Sequence, residues 1–226
     1  MTEQHHHERL RLYSYWRSSA AYRVRIALNL KGLHYETIPV HLLDDGGQQH
    51  ALEYRAVNPQ ALVPSLKHGH RIIRQSIAII EYLDETWPEP PLLPATARDR
   101  ARARAIAQAI ACDIHPLNNL RVLKYFENEW NVPAPEREEW VRHWIREGFG
   151  AVENMLSEHL STGTFCDGEH PGLADCCLVP QVFNARRFGI PVDAYPTIRR
   201  IHDACMKLPA FDAARPERQP DAPSPG

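Results

Sequence analysis

"YWRSSAAYRVRIAL", residues 15–28, begins as a strand and ends as a helix. Upstream, "LRLYSY" (10–15) alternates as a short strand does. From Ser19 to Lys31 the apolar positions Ala20, Val24, Ala27 and Leu28 recur at helical spacing, and Gly32 predicts the stop. Arg17, Ser18 and Ser19 therefore fall at a strand-to-helix junction, where the helix macrodipole supplies a positive field. "YETIPVHL" (35–42) reads as a second strand. The βαβ order favours a right-handed crossover and a parallel pair.

Further along, "DDGGQQ" (44–49) is a loop. "VPSLKHGHRIIRQ" (63–75) reads as two short strands around the turn His68-Gly69-His70. "SIAIIEYLDETW" (76–87) is a helix with Ser76 at its N-cap position. "WPEPPLLPA" (87–95) holds four prolines in nine residues, which can continue neither a helix nor a central strand. Beyond it the pattern is all-helical: 98–126 with a kink at Pro116, 135–160 with Trp140, Trp144 and Ile145 on one face, then 173–188 and 196–208. The expected architecture is α/β plus all-α. A small mixed sheet with helices occupies residues 8–87, a proline-rich linker 88–95, a helical bundle 96–215 and a poorly ordered tail 216–226.

The chain has 226 residues, 43% of them hydrophobic, enough for one large core or two small ones. A net charge of -2 and a pI near 6.7 give no basic surface for nucleic acid. The five cysteines, Cys112, Cys166, Cys176, Cys177 and Cys205, are odd in number and form no CxxC. That argues against a disulfide framework and against a metal site. No early apolar run resembles a signal peptide, and no run could span a bilayer. A soluble protein of a reducing cytoplasm is the expectation. His5, His6 and His7 read as a disordered end or part of a tag.

Two local signals bear on chemistry. Proline cannot donate to a ladder, so Val63-Pro64 entering a strand is either an ordinary edge proline or a cis bond. The stretch resembles the thioredoxin family, in which this proline is cis and the residue before it offers its backbone groups to a peptide-like ligand, and that resemblance implies a cis Val63–Pro64 bond. Gln75-Ser76 opens a helix directly after a strand. Its free N–H groups and dipole suit a carboxylate, although a serine there can also simply cap its helix.

The sequence resembles the zeta-class glutathione transferases, the maleylacetoacetate isomerase family. That family carries S-S-C-x-[WH]-R-V-R-I-A-L after a strand. Here the stretch is Ser18-Ser19-Ala20-Ala21-Tyr22-Arg23-Val24-Arg25-Ile26-Ala27-Leu28, with alanine where the family often has cysteine. The likeness continues through "LKGLHYETIPVHLLDDGGQQ", "NPQALVPSL", "QSIAIIEYLDE", "DIHPLNNLRVLKY", "LADCCLVPQVFNARRF" and "YPTI" to "RQPD". It implies a thioredoxin-like domain with a four-stranded mixed sheet, a C-terminal helical bundle, glutathione as cofactor and a homodimer. It implies that Ser18 and Ser19 meet the glutathione sulfur, Gln49 the glycyl end, Val63 the backbone clamp, and Gln75 and Ser76 the γ-glutamyl carboxylate. His115, Asn119 and Arg121 would face the active-site cleft, and Arg187 a substrate carboxylate.

The implied reaction is cis–trans isomerisation of maleylacetoacetate, with maleylpyruvate isomerisation or general glutathione transfer, including α-haloacid dehalogenation, as alternatives. A thiolate adds to the double bond, the single bond rotates, and elimination leaves the trans product. A thiol with a pKa near 8.5 needs help to ionise, which a serine hydroxyl and a helix N-terminus provide. A dicarboxylate substrate suits arginine forks, with Arg187 first, then Arg17 and Arg121. His115 and Asn119, at i and i+4, would share a helix face, and His115 could act directly or as a structural partner. Arg23 and Arg25 read as helix-surface or structural charges. Arg98, Arg100, Arg102 and Arg104 read as a solvated face or subunit contact. Asp175, three residues after Gly172, reads as a capping residue, and Cys176 and Cys177 as inert core thiols.

Overall fold

The computed structural model describes residues 8–223, so the His5–His7 run lies outside the described residues. The chain divides into two compact units, one of residues up to Pro91 together with those from Pro209 onward, the other Leu92–Leu208.

The first unit follows the expected order with one addition. Strand β1 (Leu10–Ser14) leads into helix α1 (Ser19–Leu30), strand β2 (Tyr35–Pro39), helix α2 (Leu52–Val57), strands β3 (Ser65–His68) and β4 (Arg71–Arg74), and helix α3 (Ser76–Thr86). The sheet order is β2-β1-β3-β4, with β1 parallel to β2 and antiparallel to β3. Leu12 stands opposite Thr37 on one side and Leu66 on the other. Leu12, Leu66, Val24, Leu28, Ile79 and Leu83 form the core beneath α1 and α3. Gly32, at φ +64, ends α1, and the Leu33 N–H returns to the Leu28 carbonyl.

Strand β2 stops at Pro39, short of the expected residue 42, because the chain turns off into two 3₁₀ turns. The short helix α2 was not expected. It has six residues, lacks a side-chain cap, and buries only Tyr54, so no amphipathic period marks it. Tyr54 joins Tyr15, Val40 and Val63 in a second cluster, with Tyr13, Trp16, Leu42 and Val57 packed against it.

Arg23 and Arg25 are not on the helix surface. Both are buried in the core, at 2% and 0% exposure. Burial pushes the Arg25 guanidinium down to about 10, which leaves it charged at neutral pH.

The second unit contains α4 (Ala97–Gln108), α5 (Leu120–Trp130), α6 (Ala134–Ser157), α7 (Leu173–Arg187) and α8 (Pro196–Cys205). Its core combines Ile106 and Ile110 with the i, i+3/i+4 row Val141, Ile145, Phe149, Val152 and Leu156 and with nearly all of α7. Trp140 and Trp144 are half-buried beside that row. Glu153 of α6 accepts the N–H groups of Thr197 and Ile198 at 2.8 and 2.9 Å, capping α8 from a neighbouring helix. Arg102 corrects the reading of its arginine run as a solvated face. Its side chain is 12% exposed, pairs with Asp167 at 2.7 Å, and donates to the Cys166 carbonyl and the Thr162 hydroxyl. Asp175 accepts the N–H groups of Gly172 and Cys166 at 2.9 and 3.0 Å, as a capping residue should.

Helix α9 (Pro209–Ala213) and the residues after it belong with the first unit. The expectation had assigned 209–215 to the bundle and 216–226 to a loose tail. Asn29 donates to the Ala210 carbonyl, Gln219 to the Ala213 and Arg215 carbonyls, and Trp16 to Asp221. These long-range partners leave no local periodicity to read.

Candidate functional site

The six residues implied to meet glutathione, Ser18, Ser19, Gln49, Val63, Gln75 and Ser76, all lie in the first unit. Tyr15 to Ser18 form a turn closed by the Ser18 N–H on the Tyr15 carbonyl at 2.9 Å. Ser18 is the N-cap of α1, and its Oγ accepts the Ala21 N–H at 3.2 Å. Ser19 is the first helical residue and half-buried, and its hydroxyl has no hydrogen-bond partner among the described residues. Arg17 lies beside it with its guanidinium 5.4 Å from the Trp16 ring centre. Val63 precedes β3 across a cis bond to Pro64 and packs in the Tyr15 cluster, bringing its backbone next to this turn.

Gln75 is the N-cap of α3, in the left-handed region at φ +72, so Ser76 is the first helical residue and not the cap. The Gln75 amide donates to the Gln60 side chain at 2.9 Å. Ser76 is buried, and its Oγ accepts from the Arg23 Nη1 at 3.1 Å. A buried cation from the second turn of α1 is thus bonded to the residue that opens α3. The sequence reads Arg23 as a helix-surface or structural charge, and two arginines in an apolar helical run are the available signal for more.

Gln49 is buried, with its Nε2 3.3 Å from the Leu42 carbonyl and its Oε1 without a hydrogen-bond partner among the described residues. The side chain folds over Gly47, where any Cβ would meet it at 2.5 Å. These features fit glutathione. The orphaned Gln49 oxygen, the uncommitted Ser19 hydroxyl and the two N-termini offer one acceptor, one donor and two anion sites.

The remaining positions lie in the second unit. Helix α4 widens into a π-helical segment at 109–114, then a 3₁₀ turn at 115–118. A Cβ on Gly148 of α6 would collide with Ile114, so glycine there seats the widened turn. Trp140 donates to the Leu117 carbonyl at 2.8 Å, satisfying a group the break leaves open. His115 and Asn119 therefore do not share a helix face. His115 is on the 3₁₀ turn, while Asn119 is extended and caps α5 through Oδ1 on the Arg121 N–H at 3.1 Å. Pro116 forces this by denying the helix an N–H. Arg121 is exposed in the first turn of α5, and Arg187 is exposed at the end of α7, 5.1 Å from the Phe188 ring centre.

Residues 12–91 match the family of the glutathione S-transferase N-terminal domain, so this sheet with its two helix N-termini defines a glutathione transferase. The chain is 50% identical over 211 residues to a probable maleylacetoacetate isomerase of Vibrio cholerae, covering 93% of this chain and 97% of that protein. It is 45% identical to a holo maleylpyruvate isomerase, a bacterial zeta-class transferase, with a TM-score of 0.91 over 94% of this chain and all of the other. A maleylacetoacetate isomerase of Anaeromyxobacter dehalogenans 2CP-1, with dicarboxyethyl glutathione and citrate in its active site, is 44% identical with a TM-score of 0.83, covering 95% and 98% of the two chains. The chain belongs to the zeta-class glutathione transferases, the family of maleylacetoacetate and maleylpyruvate isomerases.

Proposed function

We propose that the protein catalyses the glutathione-dependent cis–trans isomerisation of maleylacetoacetate. The observation that carries this reading is the Ser18–Ser19 junction, with a hydroxyl left uncommitted at a helix N-terminus, in a chain 50% identical to a probable isomerase over 93% of its length. Dicarboxyethyl glutathione in a relative supports it further, since that is a thiol joined to a four-carbon diacid.

Bound glutathione supplies a thiolate that adds reversibly to the substrate double bond, so that the bond can rotate before elimination. Ser19 donates its hydroxyl to the sulfur, while Ser18 holds the first turn of α1 in place. The α1 dipole favours the ionised thiol. Gln75 and Ser76, at the N-terminus of α3 and backed by Arg23, receive the γ-glutamyl carboxylate. Val63 offers its backbone to the peptide, and Gln49 meets the glycyl end through its side-chain amide, whose N–H groups can donate to a carboxylate. Arg187 is the first candidate to hold a substrate carboxylate through bidentate guanidinium contacts, with Arg121 of the same unit and Arg17 of the first unit as the further candidates. His115 and Asn119 shape the approach, Asn119 through its cap on α5. The working form is read as a homodimer from the family resemblance alone, and a reducing cytoplasm is the compartment that suits five cysteines outside any disulfide.

Turnover of maleylacetoacetate with no net loss of glutathione is the expected result. Stoichiometric consumption of glutathione with release of conjugates would instead establish a general transferase. Maleylpyruvate is the second reading, favoured by the holo relative, and side-by-side kcat/KM values for the two substrates decide between them.

A further inference from the structure

The turn that delivers Ser18 and Ser19 is bolted from behind by residues about two hundred positions away. The Trp16 N–H donates to Asp221 Oδ2 at 2.8 Å. The Trp16 carbonyl accepts from Arg25 Nη2 at 2.9 Å, and the Tyr15 carbonyl from Arg25 Nη1 at 3.4 Å. Arg25 also donates to Ser14 Oγ and to the Ala214 carbonyl, both at 3.1 Å. Both backbone groups of Trp16 are therefore fixed, the first by the C-terminal segment and the second by a buried guanidinium. The segment is itself held, through Gln219 on Ala213 and Arg215 and through Asn29 on Ala210.

A turn closed by a single backbone bond has other conformations within about 1 kcal/mol. Trp16 and Arg17 are its central residues, so a change at Trp16 moves Ser18 off its cap and Ser19 off the helix start. The "RQPD" stretch, so far used only as a mark of likeness, contains Asp221.

We infer that Asp221 is a positioning residue for the thiol site, holding the Tyr15–Ser18 turn so that the Ser19 hydroxyl and the α1 N-terminus face the glutathione sulfur. The inference rests on the glutathione reading of that junction. It differs in sign from a field effect. As a negative charge, Asp221 would raise the pKa of a nearby thiol, and removing it would lower that pKa. As a positioning residue, its removal raises the pKa, because the hydroxyl and dipole lose their aim.

The test is the thiolate absorbance of glutathione bound to the full-length protein, read against pH, for wild type, Asp221→Ala and Asp221→Asn. Asparagine keeps an oxygen for the Trp16 N–H, and its amide occupies the position of Asp221 Oδ1, which makes no hydrogen bond among the described residues. The alanine variant is expected to raise the bound-thiol pKa by about 0.5–1, a roughly three- to tenfold loss of thiolate below that pKa, with asparagine within about 0.2 of wild type. An alanine variant with unchanged or lowered pKa overturns the inference, as does an equal rise in both point variants. Wild-type protein that takes up no glutathione overturns the inference together with the functional reading. Wild type that binds, beside an unmoved alanine variant, overturns the inference alone.

Discussion

Replacing Lys31 with methionine tests what holds the proline-rich segment. The Lys31 side chain is wholly buried. Its Nζ donates to Asp84 Oδ1 at 2.6 Å and to the carbonyls of Trp87, Pro88 and Pro90 at 2.6, 3.3 and 2.5 Å. Prolines 88, 90 and 91 prevent this stretch from joining a helix or sheet ladder, so one ammonium does the work of several backbone partners. Methionine keeps most of the apolar stem and supplies no donor. Breaking a buried ion pair costs about 3–5 kcal/mol, and each hydrogen bond to a charged donor about 1.5–3 in isolation, without simple additivity. We expect a loss of about 4 kcal/mol. At an m-value of roughly 3 kcal/mol/M, the urea midpoint falls by more than about 1 M. Circular dichroism and tryptophan fluorescence should report the same shift. Asp84→Asn keeps an amide oxygen in place of the carboxylate and leaves the three carbonyls on the ammonium, so the charge stays fully hydrogen-bonded and the expected cost is smaller, about 1–2 kcal/mol. A Lys31→Met midpoint within about 0.3 M of wild type would refute the clamp. Equal losses in the two variants would show that the ion pair, not the carbonyls, carries it.

Other outcomes follow from the same geometry. Ser18→Ala removes a helix cap and is expected to lower stability by about 1 kcal/mol in thermal unfolding, whereas Ser19→Ala leaves stability nearly unchanged and raises the pKa of bound glutathione thiol. Cys166, Cys176, Cys177 and Cys205 are buried while Cys112 is exposed, so a thiol reagent at pH 8 should modify one cysteine quickly and the other four only on unfolding. Burial and the neighbouring Asp175 carboxylate push the Cys166 and Cys205 thiols up, reinforcing that order. Burial also raises the Asp175 carboxyl above 3.8. The native state then holds its proton more tightly than the unfolded chain, so this group's contribution to stability falls as pH rises from about 3.8 through its raised value. Asp175→Asn lacks that slope. Its deficit against wild type, measured by urea unfolding at several pH values, should shrink as pH rises across that window; a deficit that grows there would reverse the assignment.

Much of the fold was legible because the signals were local. Strand-to-helix junctions at residues 15–19 and 74–76, the hairpin about Gly69 and the proline run each declare themselves within a dozen residues. The cis bond at Val63–Pro64 was one of two readings of a proline entering a strand. Helix α2 left no mark, since one buried tyrosine makes no period. The break at 109–119 was foreseen as a kink at Pro116, but its π-helical form depends on Gly148 of another helix making room for Ile114.

The sequence by itself determined the family, the order of elements and the identity of the residues that could meet a thiol or a carboxylate. Motif, periodicity and turn chemistry are properties of neighbouring residues. Only the tertiary structure shows that Ser18 Oγ caps α1 by accepting the Ala21 N–H, while the Ser19 hydroxyl makes no hydrogen bond among the described residues, because both depend on the geometry at the start of α1. It also decided that Arg23, Arg25 and Arg102 are interior charges held by distant acceptors, and that the C-terminal segment returns to brace the turn before Ser18. A charged residue reads the same in sequence on a surface or in a core; burial and a partner far along the chain set its role.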